Sequence, residues 1–395
     1  MKNKKVLMVA SVASMIDQFN IPNIRLLQKL GYEVHIACNF KEGNTCDAKR
    51  IQALRQTLRR MRTVQHQWDC PRRLGSVYRC VKAYRQLWEL TGRFTFAWMH
   101  CQSPVGGALA RVVARGRGIR VLYTAHGFHF YKGAPLISWL FYYTAEKVLA
   151  RWTDMLITIN QEDTKLAKSR LKAGCVRYVP GVGVDTRRWC RHKKACRAAF
   201  CKKYHIPEDA FLLLSVGELS RRKNHQAVIA ALAGFWEKGE EIHYIICGQG
   251  ELKKFLKKKA DQAGANGRLH LMGFQEHMDE FYQNADIFVF PSKQEGLPVA
   301  LMEAMAVGVP CVVSDIRGNR ELIGRHGGGR FALGDTKRFC EVLDSLLLDP
   351  DYRKKCGSYN VHYVKRFDIQ TINRQMYQIY RFMDREMKSL SAENE

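Results

Sequence analysis

Two doubly wound α/β domains, each built on a parallel sheet, are what this sequence predicts, and three features predict them. The chain has 395 residues, 46% of them hydrophobic and 26% charged, an ordinary globular composition with the length for two cores of roughly 180 residues each. Short apolar runs alternate with helix-length segments, the pattern of parallel strands joined by crossover helices. After a polar, basic interval over residues 185–209 the same alternation starts again.

The elements follow in chain order. Val6–Ala10 reads as a first strand, followed by an amphipathic stretch to Leu30, a turn at Gly31 and a second strand at Glu33–Ala37. Ala97–Cys101, Val121–Thr124, Met155–Ile159 and Cys175–Val179 continue the series. In the second half the strands are Phe211–Val216, Ile242–Cys247, Leu269–Met272, Ile287–Pro291 and Pro310–Ser314. The tail from Asp351 to about Lys388 is amphipathic, helical and too long to serve only as a cap. The expected organisation is residues 1–184 as one domain, 185–210 as a linker and 211–364 as a second domain. A C-terminal helix over about 365–395 crosses back to the first.

Lys2, Lys4 and Lys5 ahead of the apolar run Val6–Ala13 mimic a signal peptide. That run is at the short limit for one and leads straight into a helical pattern, so it reads as a buried strand. No run of about 18 apolar residues offers a membrane-spanning helix. Thirteen scattered cysteines in an enzyme-like chain fit a reducing, cytoplasmic setting. Cys190, Cys196 and Cys201, near His192 and His205, have spacings that match no common structural zinc pattern.

Lys plus Arg number 64 against 37 Asp plus Glu, a formal net charge of +27 that implies anionic partners. Between Lys41 and Arg93 thirteen Lys/Arg face four Asp/Glu. Within that stretch Lys49–Arg62 carries Ile51, Leu54, Leu58 and Met61 at helical spacing, flanked by arginines. A basic amphipathic helix reads as interfacial, held by apolar insertion and anionic lipid. "APLISWLFYYTAEKVLARW" adds aromatics and a basic end. No nucleic-acid-reading motif accompanies the charge, so nucleic acid is not expected as a partner.

The most informative stretch is "ADIFVFPSKQEGLPVALMEAMAVGVPCVVSD". A buried strand ends near Pro291, a loop carries Glu295 and Gly296, and Pro298 opens a helix that Gly308 closes. Ligands of such sheets bind at the carboxyl ends of strands, where free N–H groups at a helix start attract phosphate. Glu303, eight residues beyond Glu295, is placed to accept hydrogen bonds from ribose hydroxyls. Gly248 and Gly250 flank a strand-end loop that would let backbone approach a nucleotide.

These residues resemble the family 4 retaining glycosyltransferases of GT-B fold. The E-x7-E element of Glu295 and Glu303 looks like that family's donor-site signature. The resemblance continues through "SVGELSRRKN", "ICGQGE", "GFQEHMDEFYQNADIFVFPS" and "YTAHGFHFYKG", covering nearly the whole chain. Within the family it is similar to bacterial transferases that build capsule, exopolysaccharide or O-antigen repeat units.

The resemblance implies two Rossmann-like domains facing across a cleft, the second binding a nucleotide-sugar, with UDP preferred, and the first binding the acceptor. It implies that Glu303 holds the ribose, that Glu295 contacts the transferred sugar, and that backbone around Gly296, Leu297, Pro298 and Val299 meets sugar and pyrophosphate oxygens. In "SVGELSRRKN" the family places an Arg after the glycine, here Gly217, and a Lys five residues later. Lys223 is present, but Glu218 stands at the Arg position, leaving Arg222 or Arg221 as replacements. His126 matches a family histidine near donor sugar and acceptor. His129, Ser103 and Gly106 are acceptor-side candidates, and Ala13 and Ser14 stand where the family has a glycine pair. The implied reaction is transfer with retention; the basic charge adds the expectation that the enzyme is peripheral on the inner face of an anionic membrane and meets a polyprenyl-diphosphate-linked glycan there. No Asp-x-Asp motif is evident, so neither a cofactor nor an obligate metal is expected. A soluble acceptor or a nucleotide-sugar epimerase are the competing readings. A glycan phosphorylase would need a pyridoxal-phosphate lysine that has no place here.

Overall fold

The computed structural model describes residues 4–42, 47–72, 75–189 and 197–392. Cys190, His192 and Cys196 lie outside the described residues. The chain divides into one unit of residues 1–182 and 371–395 and a second of residues 183–370.

The first unit carries a seven-stranded parallel sheet in the order β3-β2-β1-β4-β5-β6-β7. Its strands are β1 (Lys4–Ala10), β2 (Tyr32–Cys38), β3 (Val64–Gln67), β4 (Trp98–Gln102), β5 (Arg120–Ala125), β6 (Met155–Thr158) and β7 (Cys175–Tyr178). Alternate residues of β1 divide between the two faces: Val6, Met8 and Ala10 enter one core with Ile24, Leu27 and Leu58, and Leu7 and Val9 enter the other with Leu87, Val113 and Tyr123. A strand buried on both faces reads as a continuous apolar run, which is why β1 was legible. Ile372, Met376, Ile379, Tyr380 and Met383 of the C-terminal helix Ile369–Ala392 join the first of these cores.

The second unit has a six-stranded parallel sheet, β10-β9-β8-β11-β12-β13. Its strands are β8 (Phe211–Val216), β9 (Ile242–Cys247), β10 (Leu269–Gly273), β11 (Ile287–Phe290), β12 (Cys311–Ser314) and β13 (Gly328–Phe331). The strand order reverses between β1 and β4 in the first unit and between β8 and β11 in the second, the switch points where doubly wound sheets bind ligands.

Four differences from the sequence expectation have physical reasons. The edge strands β3 (VQHQ) and β13 (GGRF) were not foreseen, because one partner is enough for an edge strand and neither segment is an apolar run. The stretch before Leu30 is two helices, Ala13–Phe19 and Ile21–Lys29, parted at Asn20 with Pro22 in the first turn of the second. The tail breaks into Pro350–Tyr363, a tight turn Val364–Phe367 and the final helix; Ile369 N donates to Val184 O and Val184 N to Phe367 O, both at 2.9 Å. The expected linker contains the helix Arg197–Tyr204, whose Arg197 pairs with Asp286 at 2.9 Å and whose Phe200 is buried.

A correction concerns the basic helix. Ala48–Arg60 forms as expected, but Leu54 and Leu58 are buried in the first unit's core, with Ile51 and Met61 packed against it. Its apolar stripe is occupied, so it is not the inserting element of an interfacial helix; its arginines form a solvated face, with Arg50 paired to Asp17 at 2.8 Å.

The two sheets also share a small repeated contact. Glu33 and His35 on β2 join His66 on β3, and Glu241 just before β9 and His243 on it join His270 on β10, each as a Glu–His–His chain with rings stacked at 5.1 Å. Both chains lie on the outermost strand pair of their sheet.

Candidate active site

At the second unit's switch point, the loop after β8 and the loop after β11 are tied together by backbone and side chain. Lys293 N donates to Arg222 O at 2.8 Å, and Asn224 Nδ2 donates to Pro291 O at 3.2 Å. Asn224 itself sits in the left-handed region, at φ 57°, as the residue that opens the helix His225–Glu237.

This framework brings Arg222, Lys223 and Glu295 together. Arg222 Nη1 and Lys223 Nζ both lie 2.8 Å from Glu295 Oε1, and Arg222 also donates to Gln294 O at 3.1 Å. Burial pushes the Glu295 carboxyl up, but the two cations outweigh it and hold it below the usual carboxylate range. Burial, with the Arg222 charge beside it, pulls the Lys223 ammonium down. One carboxylate oxygen thus serves two cations, an arrangement that an incoming anion would relieve. Of the two sequence candidates for the position lost at Glu218, both exposed, the structure places Arg222 on Glu295.

Glu295 is followed by the helix Val299–Val307, which has Pro298 at its N-cap, no side-chain cap, and Gly308 at φ 86° closing it. Free N–H groups at the start of a helix attract phosphate or hydroxyl oxygens. The loop is anchored from behind by buried Arg317, whose Nε donates to Glu295 O at 3.1 Å, and by Gly318, where a Cβ would stand 2.3 Å from Gly296 O. Leu297 is buried in the same turn.

Glu303, on the same helix, accepts from Tyr282 Oη at 2.9 Å. Burial pushes its carboxyl up to about 7, against the Tyr282 hydrogen bond and the nearby charge of Arg188. The two acids of E-x7-E therefore differ: Glu295 is a held anion, and Glu303 changes charge near neutrality.

Gly217, Gly248 and Gly250 meet for a packing reason. A Cβ at Gly248 would fall 1.8 Å from Gly217 O, and one at Gly250 would fall 2.4 Å from Leu219 O. The glycines after β9 are needed so that this loop lies against the loop after β8, whose position in turn sets Arg222 and Lys223.

In the first unit the strand ends carry a second polar group. Ser11 Oγ lies 2.7 Å from Ser103 Oγ and accepts from Gly106 N at 3.0 Å, joining the loops after β1 and β4. Ser103 holds φ 69°, uncommon for a non-glycine residue. Ser14 is buried in the first turn of Ala13–Phe19.

His126 follows β5, with Gly127 at φ 114° turning the chain and Phe128 N bonded to Asp163 Oδ2 at 3.0 Å. Its Nε2 is 2.8 Å from Gln102 Oε1. Gln102 and Asn20 form a reciprocal amide pair, and Asn20 Nδ2 also donates to Met15 O at 2.7 Å, which orients both amides. Gln102 therefore presents oxygen to His126, so Nε2 carries the proton and Nδ1 is the acceptor. Burial holds the imidazole neutral, pushing its pKa down to about 4. His126 lines a recess of about 30 Å³ with Phe19, Asn23, Thr124 and Met376, room for only one or two waters. His129 points to a different neighbour, its ring stacked on Tyr142 at 4.7 Å.

Sequence reasoning missed Tyr282, Arg317, Gln102 and Asn20, which act through contacts far apart in the chain. Gln102 had one signal, an amide at the carboxyl end of a strand. Among the described residues no group of three or more His, Cys, Asp or Glu is placed to hold a metal ion.

The chain thus carries two parallel-sheet units, the second with cations and carboxylates gathered at its switch point, and comparison with known proteins gives its class. Residues 197–362 match the family model for glycosyl transferases group 1, and residues 23–180 match the glycosyl transferase 4-like domain. The chain is 33% identical over 98% of its length to all of a putative glycosyltransferase, EpsD, of Bacillus subtilis. It is 28% identical over 68% of its length to 70% of the Escherichia coli UDP-Gal:alpha-D-GlcNAc-diphosphoundecaprenol alpha-1,3-galactosyltransferase. Its fold is similar to that of Anabaena HepE in complex with UDP and glucose, with a TM-score of 0.74 at 15% identity over 96% of this chain and 99% of that one. The chain belongs to the group 1, family 4-like glycosyltransferases and has the GT-B architecture.

Proposed function

We propose that this glycosyltransferase moves a hexose or N-acetylhexosamine from a UDP-sugar to a polyprenyl-diphosphate-linked glycan in surface polysaccharide synthesis, with retention at the anomeric carbon. The observation that carries the reading is the trio Arg222, Lys223 and Glu295 at the uncapped start of the helix that also bears Glu303. When the donor binds, Arg222 and Lys223 transfer from Glu295 to the diphosphate, whose negative charge grows as the glycosidic bond breaks. Glu295, relieved of its cations, faces the sugar and stabilises the oxocarbenium-like centre. Glu303 accepts from the ribose hydroxyls, and the amides of Gly296 to Val299 meet sugar and pyrophosphate oxygens. A diphosphate oxygen takes the acceptor's proton on the face the nucleotide leaves, so the configuration is kept. A double displacement with Glu295 as nucleophile would parallel retaining glycosidases, but that route calls for a second carboxylate at a matching position, and the scheme names none. No residue of the scheme requires a metal.

In the first unit, His126 offers Nδ1 to a hydroxyl, and Ser103 with Gly106 shapes the adjoining strand-end loop; Ser14 and His129 belong to the acceptor side. The E. coli relative's named acceptor and the charge of +27 support a lipid-linked acceptor at an anionic membrane on the cytoplasmic side. The test is incubation with UDP-sugars and a synthetic polyprenyl-diphosphate-monosaccharide, with the anomeric configuration of the product read by NMR. An α-linked product from an α-linked donor supports retention. A β-linked product rejects it, and turnover of UDP-sugar to its epimer without acceptor rejects the transferase scheme.

A further inference from the structure

We infer that the segment from Leu136 to Phe141 in the first unit inserts into an anionic lipid bilayer. Leu136 is 87% exposed, Ile137 62%, Leu140 65% and Phe141 63%. Four large apolar side chains exposed within six residues form a contiguous patch, which soluble surfaces rarely carry without a partner.

The local backbone builds this patch. After Leu136–Ser138 the chain makes one wide turn over Trp139–Tyr143, with i to i+5 bonding. Such turns shift the register of a helix by one residue. Trp139 and Tyr143 face inward, with ring centres 5.7 and 5.4 Å from that of buried Phe130. Leu136, Ile137, Leu140 and Phe141 are left outside. The patch is thus held on a rigid base.

Charge selects the occupant. Around the patch Lys132, Lys147, Arg151 and Arg170 are exposed, with Arg170 over the Trp139 ring at 5.8 Å. The single acid between Tyr131 and Arg151, Glu146, is buried and held by Arg111 through bonds of 2.8 and 2.9 Å. The exposed charges of residues 131–151 are therefore all cationic. A second copy of the chain would bring an identical cationic rim against it, whereas an anionic membrane offers apolar depth beneath a negative surface.

The patch adjoins the catalytic loop of its own unit. Phe130, its base, is four residues from His126, and His129 stacks on Tyr142 at the patch border. A diphosphate headgroup held at the bilayer surface would meet the first unit at this strand-end loop. The inference deepens the proposed function, since it says what keeps a lipid-linked acceptor in reach, but vesicle binding is measured without turnover.

The experiment is flotation of the full chain with vesicles of phosphatidylcholine alone or mixed with phosphatidylglycerol. The wild type is expected to float with the mixed vesicles and weakly with neutral ones. Leu140→Ser/Phe141→Ser should lower partitioning at least about tenfold with an unchanged melting temperature, because both side chains are exposed. Lys147→Glu should remove most of the preference for the anionic lipid. Stabilisation of the protein by UDP should be the same in all three. Unaltered flotation of the serine variant, absence of wild-type flotation, or a wild-type dimer that the serine variant converts to monomer would each overturn the inference. Flotation as expected without any response to nucleotides would leave it standing and count against the donor reading instead.

Discussion

Glu303 is the residue whose charge should govern the pH response. Its folded-state pKa of about 7 lies above the ordinary 4.5, so the folded protein holds this proton longer than the unfolded chain does. The contribution is full below about pH 4.5 and is lost as pH rises through 7. Glu303→Gln, which keeps an acceptor for Tyr282 but cannot ionise, should be more stable than wild type at about pH 8 by about 1 to 3 kcal/mol, with the gap closing near pH 5. Calorimetric melts at the two pH values check this, and a gap that is constant or reversed would contradict it. The same variant should lose most of its stabilisation by UDP. At His126 burial keeps the ring neutral and the amide of Gln102 fixes the proton on Nε2; Gln102→Glu puts a carboxylate 2.8 Å from that nitrogen. The imidazole should then titrate above about pH 6 in NMR spectra, where the wild type remains neutral down to about pH 5. Identical titration curves would show that Gln102 does not set its state.

The elements that bear the site are loops after strands, and their glycines carry a cost that can be measured. Gly248→Ala drives a Cβ into Gly217 O, and a loss on the order of 2 to 4 kcal/mol is expected. Gly234→Ala, in a helix with nothing within 4 Å of the new Cβ, should raise stability by about 0.5 to 1 kcal/mol. Melting temperatures that move together in the two variants would contradict the packing account. The central strands were legible because burial on both faces makes each an apolar run, as in "FLLLSV" of β8 and "IHYIIC" of β9. The edge strands β3 and β13 were not, having no such run. Glu295 and Glu303 were legible because Pro298 and Gly308 punctuate their helix. Tyr282 and Gln102 were not, because their bonds to Glu303 and His126 span 21 and 24 residues. The helix Ala48–Arg60 shows the opposite failure, since its pattern of apolar and basic residues is the same whether a core or a membrane covers the apolar stripe.

At the scale of the whole molecule, the excess of 64 basic over 37 acidic residues acts on every anionic partner at once. Raising ionic strength shortens the Debye length from about 10 Å at 0.1 M to about 3 Å at 1 M. Vesicle binding, which depends on exposed cations, should fall steeply over that range. UDP binding should fall less, because Lys223 and Glu295 are nearly buried, each with 11% of its side chain exposed. Equal salt sensitivity of the two would place the diphosphate on surface charges rather than on Lys223. The measurement that tests the central claim most directly is a thermal-shift titration of the purified protein with UDP, GDP, ADP and their sugars, with and without EDTA, beside Glu303→Ala and Lys223→Met. A ligand at about 100 times its dissociation constant adds roughly 2.7 kcal/mol of stability. The account predicts a response to uridine nucleotides that EDTA does not alter and that both variants lose. No response to any nucleotide, or a response that both variants retain, would contradict the assignment of the donor site to Glu295, Glu303 and their cations.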